Sequence, residues 1–293
     1  MEQANLRLEL EWDGQRVSAA SIRSSRTPVA RLLVGLPAER AALLVPRLFS
    51  LCGKAQGAAA EFALSAAQGL RPAPEVLEKM AGEVALEAIG EHLWRFLLDW
   101  PALLGQPSRR ELFLQWRRRL VGGPSATLGA DLLDWLEGFA LSAVDAPPTH
   151  ASVPLLPSVS AAEWAGLRVN TAFSVRPEWQ ASPAETGALA RWAELPDIAA
   201  LCGEGERIAA RLAARLADLR FLASALAESA YERFSSRIDA APVAPGVGLA
   251  SVETARGLLL HVMHVKDGTV GGYVIVAPTE WNFHPHGAVA QAI

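Results

Sequence analysis

Leu258-Leu259-Leu260-His261-Val262-Met263-His264-Val265, then Lys266-Asp267-Gly268-Thr269, then Val270-Gly271-Gly272-Tyr273-Val274-Ile275-Val276 is the stretch that decides the fold. Two runs rich in aliphatic and β-branched residues flank an Asp-Gly pair, which readily adopts the positive backbone torsions of a tight hairpin turn. With its lead-in, the reading is an antiparallel hairpin over about 251–277. His261 and His264 are an odd number of residues apart on its first strand, so they point to opposite faces and cannot share a metal ion. Beyond the second strand, Pro278-Thr279-Glu280-Trp281-Asn282 reads as a polar loop projecting from the end of a buried strand.

Working back from that hairpin, the other end of the chain carries a second one. Leu6, Leu8 and Leu10 alternate with Arg7, Glu9 and Glu11, and Asp13-Gly14 turns the chain into Arg16–Ile22, giving a hairpin over about 6–23. Between the two lies a helical core, about 28–236. Pro37-Ala38-Glu39 starts an Ala/Leu-rich stretch that runs to Gly69, where Pro72 and Pro74 stop it. Pro46 divides this stretch into two helices or kinks one, with Cys52 shortly after the break. From Pro74 to Leu104 the apolar residues recur at helical spacing, with a bend expected at Pro101. Further helices are expected at 108–120, 128–143, 184–201 and 204–235, and the proline-rich 145–160 reads as an irregular connection. The fold class is therefore mainly α with small β hairpins, an α+β chain read as one domain over residues 1–293.

Composition narrows the function. Half the residues are hydrophobic (51%), so a sizeable core is feasible. A net charge of −4 and a pI near 5.9 give no global electrostatic basis for binding nucleic acid or an anionic membrane. The local run Arg117-Arg118-Arg119, with Arg109 and Arg110 nearby, reads as a solvated helix face. The opening residues lack the pattern of a secretory signal, and no apolar run reaches the ~18 residues of a spanning helix, so a soluble, cytoplasmic protein is expected. The two cysteines, Cys52 and Cys202, lie far apart, as expected of free thiols in a reducing compartment.

General motifs for chemistry are few. No dinucleotide-binding, P-loop, HExxH or GxSxG signature occurs. His284-Pro285-His286 reads as a solvent-exposed terminal tract before it reads as a metal site. Cys52, in Arg47-Leu48-Phe49-Ser50-Leu51-Cys52-Gly53, is on these grounds either a metal ligand or core filling.

Longer patterns go further. Glu253-Thr254-Ala255-Arg256-Gly257-Leu258-Leu259-Leu260-His261, then Lys266-Asp267-Gly268, then Ala277-Pro278-Thr279-Glu280-Trp281-Asn282 resembles the nickel-iron hydrogenase large subunit, which reads EAPRGALxHW, KDG and VPTTWN at the same spacing. Other segments agree in order: the opening Leu6–Leu10 hairpin, Arg47–Gln56 with the family's RxCGxCxxxH, Leu98-Asp99-Trp100 with its LDW, and Glu185–Arg191 with its EVGPLAR. The resemblance implies a large-subunit-like fold with a shortened middle region.

The departures decide what that fold is expected to do. Phe49 stands at the first cysteine of the RxCGxC pair and Gln56 at its histidine; the RxEGH glutamate is missing, with Gln3 near its place. No counterpart of the C-terminal DPCxxC pair occurs in these residues, and nickel requires those soft thiolates. The pattern resembles the HupK/HoxV type of hydrogenase assembly protein, a non-catalytic relative of the large subunit. That resemblance implies a maturation scaffold that carries the Fe(CN)2CO group without nickel and passes it towards the hydrogenase large subunit. It implies Cys52 as the iron ligand, Arg256 and Thr279 as donors to the cyanides, and Asp99 as the carboxylate orienting Arg256. The implied partners are a HypC-type maturation chaperone with its iron-cyanide assembly machinery and the large-subunit precursor. A second thiolate would come from that chaperone or from a further tail. Glu280 is expected to face away from the anionic group. The alternatives are a cofactor-free chaperone that mimics the large subunit and a divergent hydrogenase subunit. Cys202 matches no family motif and reads as structural.

Overall fold

The computed structural model describes residues 6–24, 29–139, 148–149 and 152–293. The chain opens with the antiparallel hairpin β1 (Leu6–Trp12) and β2 (Val17–Ser24), closed by the Asp13 side chain accepting from the backbone of Gln15 and Arg16. A 3-10 turn, Val29–Leu33, leads into α1 (Ala38–Leu48) and α2 (Gly53–Ala67). Next come α3 (Pro74–Trp94), a π-helical turn at Arg95–Asp99, α4 (Trp100–Leu103), α5 (Arg110–Val121) and α6 (Ala126–Glu137). The short helices α7 (Ala161–Ala165), α8 (Thr171–Val175), α9 (Ala188–Trp192) and α10 (Pro196–Gly203) precede the long α11 (Arg207–Ala227) and a last turn, α12 (Glu232–Ser235). An antiparallel sheet follows in sequence order, β3 (Ile238–Ala244), β4 (Val247–Thr254), β5 (Gly257–Lys266) and β6 (Thr269–Val276). The described chain ends with α13 (Pro278–Asn282) and α14 (Ala288–Gln291).

The closing hairpin forms as its sequence dictates: Lys266 pairs with Thr269, and Asp267 and Gly268 both take positive φ, 50° and 72°. It is one half of a larger sheet. Residues 238–254 carry two strands that the prolines at 242 and 245 conceal; β3 is an edge strand, where a missing N–H costs no ladder bond. The expected helix over 204–235 accordingly ends at Ala227, with only α12 beyond it. The expected polar loop at 278–282 is instead the helix α13, and its Trp281 is fully buried among Trp164 and Phe173. The part of the expected 128–143 helix beyond residue 139 lies outside the described residues, as does Gln3.

Two prolines act otherwise than expected. The stretch divides into two helices as expected, but not at Pro46, which sits within α1; the break falls at 49–52, leaving Cys52 at the head of α2. At Pro101 the helix is not simply bent. Lacking an N–H, Pro101 leaves the Leu97 carbonyl without its α-helical donor, and the Arg109 N–H takes it at 2.7 Å, beside the π-helical turn.

The core forms where α2 lies across the sheet. Ala55, Ala58, Ala59, Ala63 and Ala66 are all buried, and so small a face lets the helix backbone reach β4. At the crossing a Cβ on Gly248 would stand 2.2 Å from the Ala63 carbonyl oxygen and 2.3 Å from the Ala67 nitrogen. Backbone atoms cannot rotate away, so Gly248→Ala is expected to lower the unfolding free energy by about 1–3 kcal/mol, read as a lower denaturant midpoint.

A buried charge centre ties the helices to the sheet. Asp218 of α11 accepts from His92 Nε2 of α3 (2.8 Å), Arg191 Nη2 of α9 (3.0 Å), Trp192 Nε1 (2.8 Å) and Arg237 Nη2 (2.7 Å), which precedes β3. Burial alone would raise this carboxyl, but the guanidinium groups of Arg191 and Arg237 outweigh it and hold Asp218 well below the carboxylate range. Arg191 also reaches Glu253 and the Thr254 carbonyl oxygen at the end of β4.

Candidate functional site

Cys52 is half-buried at the point where the chain enters α2. Burial and two charged neighbours act on its sulfur. Burial raises the thiol's pKa, the Arg256 guanidinium pulls it down, and the Glu87 carboxylate adds to the rise; the net shift is upward. Glu87, on α3, accepts from the backbone N–H groups of Lys54 (2.8 Å) and Ala55 (3.1 Å), so it caps the first turn of α2. Its own pKa is raised by burial against those two bonds and Arg256. Beside the head of α2 opens a cleft of about 650 Å³, lined by Phe49, Leu51, Lys54, Glu87 and Arg117 among others.

Arg256 arrives from the sheet. Thr254 pairs with Gly257, so Ala255 and Arg256 form the tip of the β4–β5 hairpin. The tip is clamped on all sides. Thr254 Oγ1 accepts from the Arg256 N–H (3.2 Å) and donates to the Gly257 carbonyl (2.8 Å). Asn282 Nδ2 of α13 donates to the Arg256 carbonyl oxygen (3.1 Å), while its Oδ1 accepts from the Thr186 N–H (3.1 Å). Gly257 has φ +130°, and a Cβ there would lie 2.4 Å from the Thr186 methyl, so only glycine fits. Gly257→Ala is therefore expected to displace the tip and lower the thermal midpoint. Arg256 also lines a second cavity, of about 290 Å³, with Arg211, Arg215, Thr186 and Asn282.

The structure brings Cys52 and Arg256 together and places a third residue elsewhere. Asp99 makes no ion pair with Arg256: it accepts from Trp94 Nε1 (3.0 Å) and pairs with Arg95 on its own helix. The carboxylate beside Arg256 is Glu91, Oε1 to Nε 3.9 Å, which also holds Arg95. A partner one turn away on the same helix is reached with less loss of side-chain freedom than one on a distant hairpin. Thr279 is half-buried on α13, whose Asn282 holds the Arg256 tip.

The sequence reading misses a polar chain behind the sulfur. Gln56, one helical turn after Cys52, places Nε2 3.9 Å from its Sγ and Oε1 3.0 Å from His261 Nε2. His261 Nδ1 lies 2.8 Å from the Tyr273 hydroxyl. The available signal was the four-residue spacing of Cys52 and Gln56 together with the inward position of His261; nothing local joins residues 205 positions apart. His264 is exposed, on the opposite face as expected. His284, expected in solvent, is buried and accepts on Nδ1 from the His286 N–H (3.1 Å).

Burial pushes the His261 pKa down to about 3, and burial also lowers that of His92. The His261 ring is neutral in the folded protein at neutral pH. As pH falls below about 6.5 the unfolded chain takes up a proton there that the folded one refuses, so stability drops by up to ~1.4 kcal/mol per pH unit for His261, and His92 acts in the same direction. Urea midpoints are expected to fall steadily from pH 7 to pH 5; a flat profile would mean that both rings are solvated.

This arrangement sits in a known architecture. The Ni-Fe-Se hydrogenase from D. vulgaris Hildenborough in its as-isolated oxidized state superposes with TM-score 0.70 at 17% identity, covering 99% of this chain and 91% of that one. The fold is that of a nickel-iron hydrogenase large subunit, and residues 198–292 match the family Nickel-dependent hydrogenase. At the level of sequence, the hydrogenase expression/formation protein HoxV of Cupriavidus necator is 35% identical over 90% of this chain and 81% of its own length. The corresponding HupV of Azotobacter chroococcum is 31% identical over 98% and 89%. The chain belongs to the HoxV/HupK/HupV family of hydrogenase expression/formation proteins. No described helix is long and apolar enough to cross a membrane.

Proposed function

We propose that this protein is a maturation scaffold, not an enzyme, that carries the Fe(CN)2CO group on Cys52 and passes it to the large-subunit precursor of a nickel-iron hydrogenase. The observation that carries this reading is the Arg256 guanidinium held against a single half-buried thiol. Among the described residues no cluster of three or more His, Cys, Asp or Glu side chains is placed to hold a metal ion. A bare ion needs several protein donors, whereas an iron that brings its own diatomic ligands needs few. One thiolate beside one fixed cation suits such a cargo: Cys52 supplies the bond, and Arg256 supplies a charge and a rigid fork of donors for a cyanide nitrogen.

Thr279 is the second donor in this proposal, and a HypC-type chaperone with its assembly machinery delivers the cargo. A supporting fact is that relatives of 28–35% identity are named as hydrogenase expression/formation proteins. No nickel is expected, and a cytoplasmic location follows from the role.

A second reading, a cofactor-free mimic of the large subunit, is favoured by the burial that raises the Cys52 pKa and keeps the sulfur a thiol. Infrared spectra of protein purified anaerobically from cells with the maturation machinery separate the two. Cyanide and carbonyl stretches on the purified protein are the expected result. Their absence from a folded, partner-bound sample would leave the mimic.

A further inference from the structure

Behind Cys52 the chain of Gln56, His261 and Tyr273 is almost sealed from solvent. Gln56 is 1% exposed, His261 0% and Tyr273 7%, so each polar atom in the chain must be satisfied by its neighbours. With the Gln56 amide oxygen placed towards His261, the chemistry of these groups leaves one arrangement. An amide oxygen only accepts, so the contact at Gln56 Oε1 requires the hydrogen on His261 Nε2. A neutral ring has one N–H, so Nδ1 accepts, and the Tyr273 hydroxyl donates to it. With its oxygen committed to His261, the Gln56 amide can only turn its NH2 towards Cys52.

We infer that Gln56 is a positioning residue: fixed in orientation by His261 and Tyr273, it holds an N–H donor towards the Cys52 sulfur and favours its electron-rich, ligating form. The inference rests on Cys52 being the working sulfur of the proposed function. Three side chains face that sulfur. Arg256 comes from the β4–β5 tip, Glu87 from α3 and Gln56 from α2 itself. Glu87 opposes negative charge on sulfur and Arg256 favours it. Gln56 adds a second favourable contact without adding a charge, from the side of the sheet. Tyr273 sits on β6 and His261 on β5, so the orientation of the donor is set by the sheet and not by the helix that carries Gln56.

The empty protein tests this without any iron. With histidine labelled by nitrogen-15, the ring shifts of His261 are expected to report the Nε2–H tautomer. The Nδ1–H tautomer would turn the amide around and overturn the inference. Alkylation of Cys52 by iodoacetamide at one fixed pH, resolved from Cys202 by peptide mass spectrometry, gives the second readout. Gln56→Met keeps the length and removes the donor, and is expected to slow alkylation roughly fivefold. Tyr273→Phe is expected to mix the tautomers and slow it by a smaller factor. Wild-type rates in both variants would overturn the inference. Because no arm uses the cargo, the two failures are distinguishable: missing infrared bands tell against the scaffold reading, and wild-type alkylation rates tell against the donor role of Gln56.

Discussion

Asp218→Asn is expected to lower the unfolding free energy by about 3–5 kcal/mol, a large share of the total for a protein of this kind. The side chain is fully buried and accepts from Arg191, Arg237, His92 and Trp192. An amide keeps the shape but removes the charge, so two guanidinium groups remain in the interior with less to neutralise them. The amide also presents an NH2 where the carboxylate accepted. Chemical denaturation measures the loss, and Asp131→Asn supplies the contrast. Asp131 pairs with Arg119 at the surface, where the expected change is under about 1 kcal/mol. Equal midpoints for the two variants would show that the buried centre carries no special share of stability.

Cys52→Ala is expected to abolish the cyanide and carbonyl bands while leaving the fold intact. Cys52 makes no side-chain cap bond at the head of α2, so alanine loses no N-cap there. Its far-ultraviolet spectrum and denaturant midpoint should match the parent protein's closely, which removes unfolding as an explanation of lost cargo. Cys202→Ala is expected to retain the bands, since Cys202 packs against the apolar cluster that includes Ile198 and Ala214. Arg256→Lys keeps the charge and loses the fork of donors, and should shift the cyanide stretches before it removes them. Bands that persist in Cys52→Ala would end the assignment of that sulfur.

What the sequence discloses and what it hides follow the range of the interactions. The β5–β6 hairpin is legible because Asp267-Gly268 fixes a turn from two adjacent residues, and α3 because its apolar period runs for many turns. β3 is hidden because Pro242 and Pro245 speak locally against a strand; the sheet edge tolerates Pro242, and Pro245 falls in the turn that follows. Cys52 and Arg256 meet through some 200 residues of intervening chain, which no periodicity reports; family resemblance brought them together. Asp99 shows the limit of that inference. Its helix neighbours Trp94 and Arg95 compete for the carboxylate at short range, and Glu91 takes the place beside Arg256. Gln56 looked like a lost histidine, and its own partners, on β5 and β6, could be seen only in the folded chain.

The clamped hairpin tip makes the two halves of the site mechanically unequal. Arg256 is gripped through its backbone by Thr254 and Asn282, and Gly257 is pressed against Thr186. Thr254 is in turn bonded to Arg191 of the buried charge centre. Cys52 instead ends the non-helical link at 49–52, where Leu51 is 66% exposed. If the proposed handover requires movement, the exposed link and not the bonded tip is the side expected to give.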